Sequence, residues 1–147
     1  MSNQLKHMRF GIVVLLVLGC ASAVPNELLR TSKTWEGGEI VYPSGEPQVT
    51  SVKLSIAQGQ TTAFHCHPVP TLGYILTGKV KVETPSGKHV ILNKGESAVE
   101  VMRTLHRATA LGGPVEIIVF YAGAKSIPNT VLPANDPEHH YCSAQPR

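Results

Sequence analysis

No cluster of lysine and arginine interleaved with aromatics occurs anywhere in this sequence, so the electrostatic footprint of a nucleic-acid-binding surface is missing. Charged residues make up only 16% of the 147, and thirteen Lys+Arg against ten Asp+Glu give +3. Two of those positives, Lys6 and Arg9, lie at the extreme N-terminus; without them the balance is +1 and the remainder is nearly neutral. Internal repeats and low-complexity blocks are absent. So is any sustained helical apolar period with a cap between residues 39 and 121, which argues against a βαβ fold. Cysteine is scarce, with three residues. An apolar content of 42% over this length fits one folded domain with a single core and argues against wholesale disorder.

The one long apolar run, residues 11–19, is too short for a comfortable membrane span. It follows Lys6 and Arg9 and precedes Ala21-Ser22-Ala23, the order of an export signal with a small-residue cleavage site. Residues 1–23 are therefore expected to be removed, leaving a periplasmic or secreted product. Val17-Leu18-Gly19-Cys20 also resembles a bacterial lipoprotein box, so cleavage before Cys20 with lipidation there stays open, and only that outcome implies a membrane partner. Cys66 and Cys142 then remain. Outside the cytoplasm they form either a disulfide or two free thiols, and the sequence does not choose between these.

Residues 24–48 read as a lead-in and first strand. From 49 to 121, short apolar or alternating runs alternate with turn signals: Val49 to Ala57, Thr61 to His67, Leu72 to Leu76, Lys79 to Glu83, His89 to Leu92, Ser97 to Met102, Leu105 to Leu111 and Val115 to Tyr121. Strands of this length and spacing predict an all-β sandwich or barrel. Residues 122–147, rich in Pro, Asn and Ala, are expected to be an irregular tail wrapping the outside.

His65 and His67 stand two apart in a predicted strand, so both rings project from one face and Cys66 from the other. Two imidazoles so placed either bind one first-row metal or form an ordinary polar pair. Phe64, alternating with the ligand face, is expected to pack outward. Tyr74, Phe120 and Tyr121 read as core or wall. His139 and His140, with Asp136, Glu138 and Cys142, read as a polar tail before they read as a metal patch.

The wider pattern resembles the cupin superfamily. Gly59, five residues, His65-Cys66-His67, Pro68-Val69-Pro70 and Gly78 are similar to the first cupin motif, and Gly95-Glu96 followed by His106 to the second. The resemblance spans roughly residues 49–121. It implies a single-domain, cupin-type jelly-roll β-barrel in which His65, His67 and His106 converge on a divalent transition metal (iron, manganese, zinc, nickel or copper). It further implies a small-molecule ligand or substrate, dioxygenase-like or isomerase-like chemistry or else a non-catalytic binding module, and a homodimer. The sequence departs from the pattern at several positions. The acidic ligand expected in the first motif falls on Thr71, a poor metal ligand. The Pro, Gly and Asn of the second fall on Val101, Arg103 and Ala110. Glu100 reads first as a solvated carboxylate and second as an acidic partner that reaches the metal or orients His106. Ala108 and Ala110, on the face of His106, either leave room for a pocket or pack a tapering barrel.

Overall fold

The computed structural model describes residues 25–143. The export signal and Cys20 therefore lie outside the described residues. Seven strands form two antiparallel sheets: β1 (Pro47–Ile56), β2 (Thr71–Thr77), β3 (Lys79–Glu83), β4 (His89–Asn93), β5 (Ser97–Val99), β6 (Arg107–Ala110) and β7 (Val115–Ala124). One sheet runs β1-β7-β2-β5 and the other β4-β3-β6. This is the all-β architecture expected from the spacing of the strands, and the jelly-roll that the resemblance implies.

The alternation in each strand decides which side chains fill the space between the sheets. Val80 and Val82 of β3 point in while Lys79 and Lys81 point out. Ala108 and Ala110 of β6 face Ile56, Ile75, Val115, Ile117 and Val119 of the opposite sheet, and these nine residues are one buried cluster. β7 supplies three of them and is paired on both sides, with β1 and β2.

Two expected strands are not regular ones. Glu39 to Tyr42 makes only the isolated bridge Lys33–Glu39. The run Thr61 to His67 lies along β6 but its ladder is broken, because the Ala108 N–H donates to the Thr62 hydroxyl (3.0 Å). Its last three residues bridge three different partners: His65 pairs with His106, Cys66 with Val131 and His67 with Met102. The expected alternation nevertheless survives, with the two histidines on one side and Cys66 on the other.

Gly78 closes the turn between β2 and β3 at φ +81°, and a Cβ there would stand 2.3 Å from the Pro114 carbonyl oxygen and 2.9 Å from Val115 Cγ2. A left-handed backbone and a backbone clash exclude any side chain. Gly78→Ala is expected to destabilise the protein by about 3 kcal/mol or more, read as a lowered urea midpoint.

Candidate metal centre

Two segments bring the histidines together. His65 and His67 come from the broken strand, and His106 from the residue just before β6, held to His65 by a reciprocal pair of backbone hydrogen bonds (3.0 and 2.9 Å). Ring centroids lie 4.6 to 4.9 Å apart. One nitrogen from each ring falls within 4.8 Å of the others, a separation at which one ion can be shared. His67 and His106 are buried; His65 is half-buried and forms the accessible side.

The tautomers follow from the partners. His65 Nδ1 donates to Ala63 O (2.8 Å), His67 Nδ1 to Asn129 O (2.8 Å) and His106 Nδ1 to Thr104 O (2.9 Å). A carbonyl only accepts, so each Nδ1 carries a proton, and in the neutral form of each ring Nε2 keeps its lone pair. Three backbone carbonyls thus orient three rings as metal ligands require.

Glu100 joins them, contrary to its first reading as a solvated carboxylate. It follows β5, and its N–H donates to Thr71 O (2.8 Å). About a fifth of the side chain stays exposed, but Oε2 is cut off from solvent and stands 2.8 Å from His106 Nε2. The two atoms lack the alignment of a hydrogen bond and neither has another partner. A buried carboxylate oxygen and a buried ring nitrogen without aligned partners, beside the nitrogens of two more rings, are an arrangement a cation satisfies. Thr71, by contrast, does not join the group. It is buried, and its hydroxyl donates to Val69 O (3.0 Å).

Without a metal the group is electrostatically frustrated. Burial pushes His67 down to about 3; Glu100 opposes the shift and the two neighbouring rings add to it. Burial, then His106, also lowers His65. His106 suffers the same burial, but the Glu100 carboxylate outweighs it and raises the ring. For Glu100 burial works against the charge, and the three rings, His106 foremost, overcome it and hold the carboxyl at about 2. A base depressed on folding stays neutral in the native state while the unfolded chain takes up its proton. Its contribution therefore erodes as pH falls from 6.5 toward 3, by up to ~1.4 kcal/mol per pH unit. The metal-free protein is expected to lose about 3 kcal/mol between pH 7 and pH 4 through His67. Urea unfolding in chelator at the two pH values checks this, and His67→Gln, neutral throughout, should flatten the loss.

The cavity before the rings has a volume of about 50 Å³. Ala108 lines it, so that small side chain does leave room, together with Thr62, Ile75, Ile117, Val119 and Trp35. Tyr121 sets its ring against His67 (5.5 Å). Phe64 faces outward under the Arg107 guanidinium, 4.7 Å from the ring centre, and Phe120 is exposed on the outer face rather than in the core.

The tail reaches the same centre from behind. Cys66 and Cys142 form a disulfide, and with Val131 they make a second buried cluster. The buried Asp136 carboxylate accepts the N–H groups of His140 (2.8 Å), Tyr141 (2.9 Å) and Cys142 (2.7 Å), fixing the turn that delivers Cys142. The His140 ring meets Glu138 at the surface (2.8 Å), and among the described residues the tail histidines join no metal-binding cluster.

Residues 52–121 match the family described as Cupin domain. The barrel has the cupin-type fold, and the match covers a little under half of the chain. Solved structures agree on the fold. A Klebsiella pneumoniae protein described as an uncharacterized conserved protein with a double-stranded β-helix domain superposes at TM-score 0.50 with 23% identity, over 63% of this chain and 84% of that one. The DMSP lyase DddQ of Ruegeria pomeroyi superposes at TM-score 0.50 with 20% identity, over 69% of this chain and 49% of the lyase. The chain here thus spans about half of that enzyme's length, and at these identities the likeness is one of fold. A search of curated proteins gives no match. The barrel presents three histidines positioned for a metal. Sequence reasoning missed Trp35, whose lead-in segment offers no motif to mark it.

Proposed function

We propose that this protein is an exported cupin that holds one divalent transition metal through His65, His67, His106 and Glu100 and binds a small molecule beside it. The observation that carries this is one nitrogen from each of three rings within 4.8 Å of the others, with the Glu100 carboxylate 2.8 Å from His106 Nε2. Three neutral imidazoles and one carboxylate suit iron, manganese, zinc, nickel or copper. When bound, such an ion supplies Lewis-acid character or, if redox-active, oxygen activation of the dioxygenase-like kind.

The chain's own residues supply orientation, exclusion of water and one accessible side. The carbonyls of Ala63, Asn129 and Thr104 hold the Nδ1 protons, so the rings do not rotate away. Ile75, Ile117 and Val119 dry the cavity wall, which strengthens every polar contact inside it. Among the described residues that line the cavity, Glu100 and the three histidines are joined by only Tyr121 as a side chain able to exchange a proton. That scarcity favours the second reading, a non-catalytic ligand-binding module. Oxygen uptake or isomerisation with candidate diols and thiols separates the two.

The Cys66–Cys142 disulfide supports export to an oxidising compartment. A homodimer is proposed on the open edge of β1, a ten-residue strand paired on one side only and exposing Val49, Val52 and Leu54; sedimentation equilibrium measures it. Elemental analysis of the exported protein tests the central reading. About one metal ion per chain is expected for wild type and almost none for His67→Ala. Equal, negligible content in both removes the metal, and the enzyme and metal-binding readings with it.

A further inference from the structure

Trp35 is the single tryptophan of the chain, and it lies outside the family match. Its segment is held in place by backbone bonds. The Trp35 N–H donates to Val99 O (2.9 Å), the residue next to Glu100, and the turn closes through Thr34 N–H to Gly38 O (3.0 Å) and Gly38 N–H to the Thr34 hydroxyl (2.9 Å). This anchors the indole in the wall of the metal cavity, beside the barrel core. Indole Nε1 is buried with no acceptor. A buried donor left unpaired is costly, so folds seldom keep one without a partner to come.

The cavity sets the partner's size. At ~10–15 Å³ per water-sized group, its 50 Å³ admits about three to five such groups. Its charge sets the partner's sign. A divalent ion, one carboxylate and three neutral rings leave a net +1 behind mostly apolar walls, which favours an anion.

We infer that Trp35 is a ligand-binding residue, its indole N–H donating to a short carboxylate of about three to five non-hydrogen atoms seated in the metal cavity. The inference rests on the metal reading of the same site. It makes the lead-in part of the binding site, although the cupin domain proper begins after it. Neutral molecules of the same size leave the positive charge unanswered, and aromatic acids exceed the space.

Zinc-loaded, ¹⁵N-labelled protein tests this without any substitution, because the chain carries one indole N–H signal. Acetate and propionate should shift that signal and Trp35 emission saturably, and ethanol and benzoate should not. Trp35→Phe should keep its zinc and weaken acetate binding about ten-fold or more in calorimetry, the worth of one hydrogen bond to a charged acceptor. An indole signal that ignores both acids, a response to ethanol or benzoate as strong as to acetate, or acetate affinity unchanged in Trp35→Phe with zinc intact overturns the proposal. Zinc content is measured on the same samples. A wild type that takes up no zinc fails the metal reading instead, and is recognised as such before any acid is added.

Discussion

Replacing Cys66 and Cys142 together by alanine is expected to cost about 4 kcal/mol of unfolding free energy. The bond joins residues 76 apart, and closing a loop of that length removes much of the unfolded chain's freedom. Both sulfurs are buried, so the loss includes packing in the small cluster with Val131. Urea unfolding of the wild type in a dithiol reductant should approach the double variant, and the double variant should ignore the reductant. The bond also bears on the site. Cys66 separates the two ligands His65 and His67, and the tail it secures brings the Asn129 carbonyl to His67 Nδ1. Removing it should therefore lower metal affinity by about ten- to a hundred-fold, the range seen when a group orienting a ligand is lost. Wild-type stability and metal affinity in the double variant would show that the tail is only a passenger.

Glu100→Gln is expected to lower metal affinity by about a hundred-fold or more, since it removes a ligand's charge and not merely an orienting contact. Gln keeps the size of the side chain, so packing around Val99 and Val101 is preserved. In the metal-free variant the His106 pKa should fall, because burial then acts on that ring without the carboxylate that opposes it. Thr71→Ala provides the contrast. Thr71 occupies the sequence position at which the first cupin motif has its acidic ligand, yet its hydroxyl is spent on Val69 O. Metal affinity should stay within about two-fold of wild type. Competition against a chelator of known affinity measures all three proteins, and a Glu100→Gln variant that binds as well as wild type would return Glu100 to a bystander.

Much of the barrel was legible because strands announce themselves by period and punctuation. Lys79 to Glu83 alternates cleanly and forms β3 with those bounds, and Gly78 and Gly95 mark their turns at positive φ. The histidine pair was legible for the same reason, since a two-residue period puts both rings on one face whether or not the ladder is continuous. What stayed hidden depends on partners distant in sequence. The break in Thr61 to His67 goes with a change of partner along the run, from β6 and His106 to Val131 and then Met102. Glu100 looked solvated because nothing near it in sequence says that His106 Nε2 will lie 2.8 Å away. The disulfide could not be chosen over free thiols, because the Asp136-centred turn that carries Cys142 to Cys66 is a tertiary feature. Arg103 is a further case. It stands where the family pattern has glycine, yet keeps a left-handed backbone at φ 55°. Hydrogen bonds from its N–H to His67 O (2.8 Å) and from its guanidinium to His140 O hold it there.

Diffraction at the metal's absorption edge from crystals of the loaded protein locates the ion and its ligands in one experiment. The prediction is a single ion bound by three imidazole Nε2 atoms, from His65, His67 and His106, and by a Glu100 carboxylate oxygen, at about 2.0–2.2 Å for zinc. An ion held at Glu138 and His140 on the surface, or one contacting fewer than three of those rings, would contradict it.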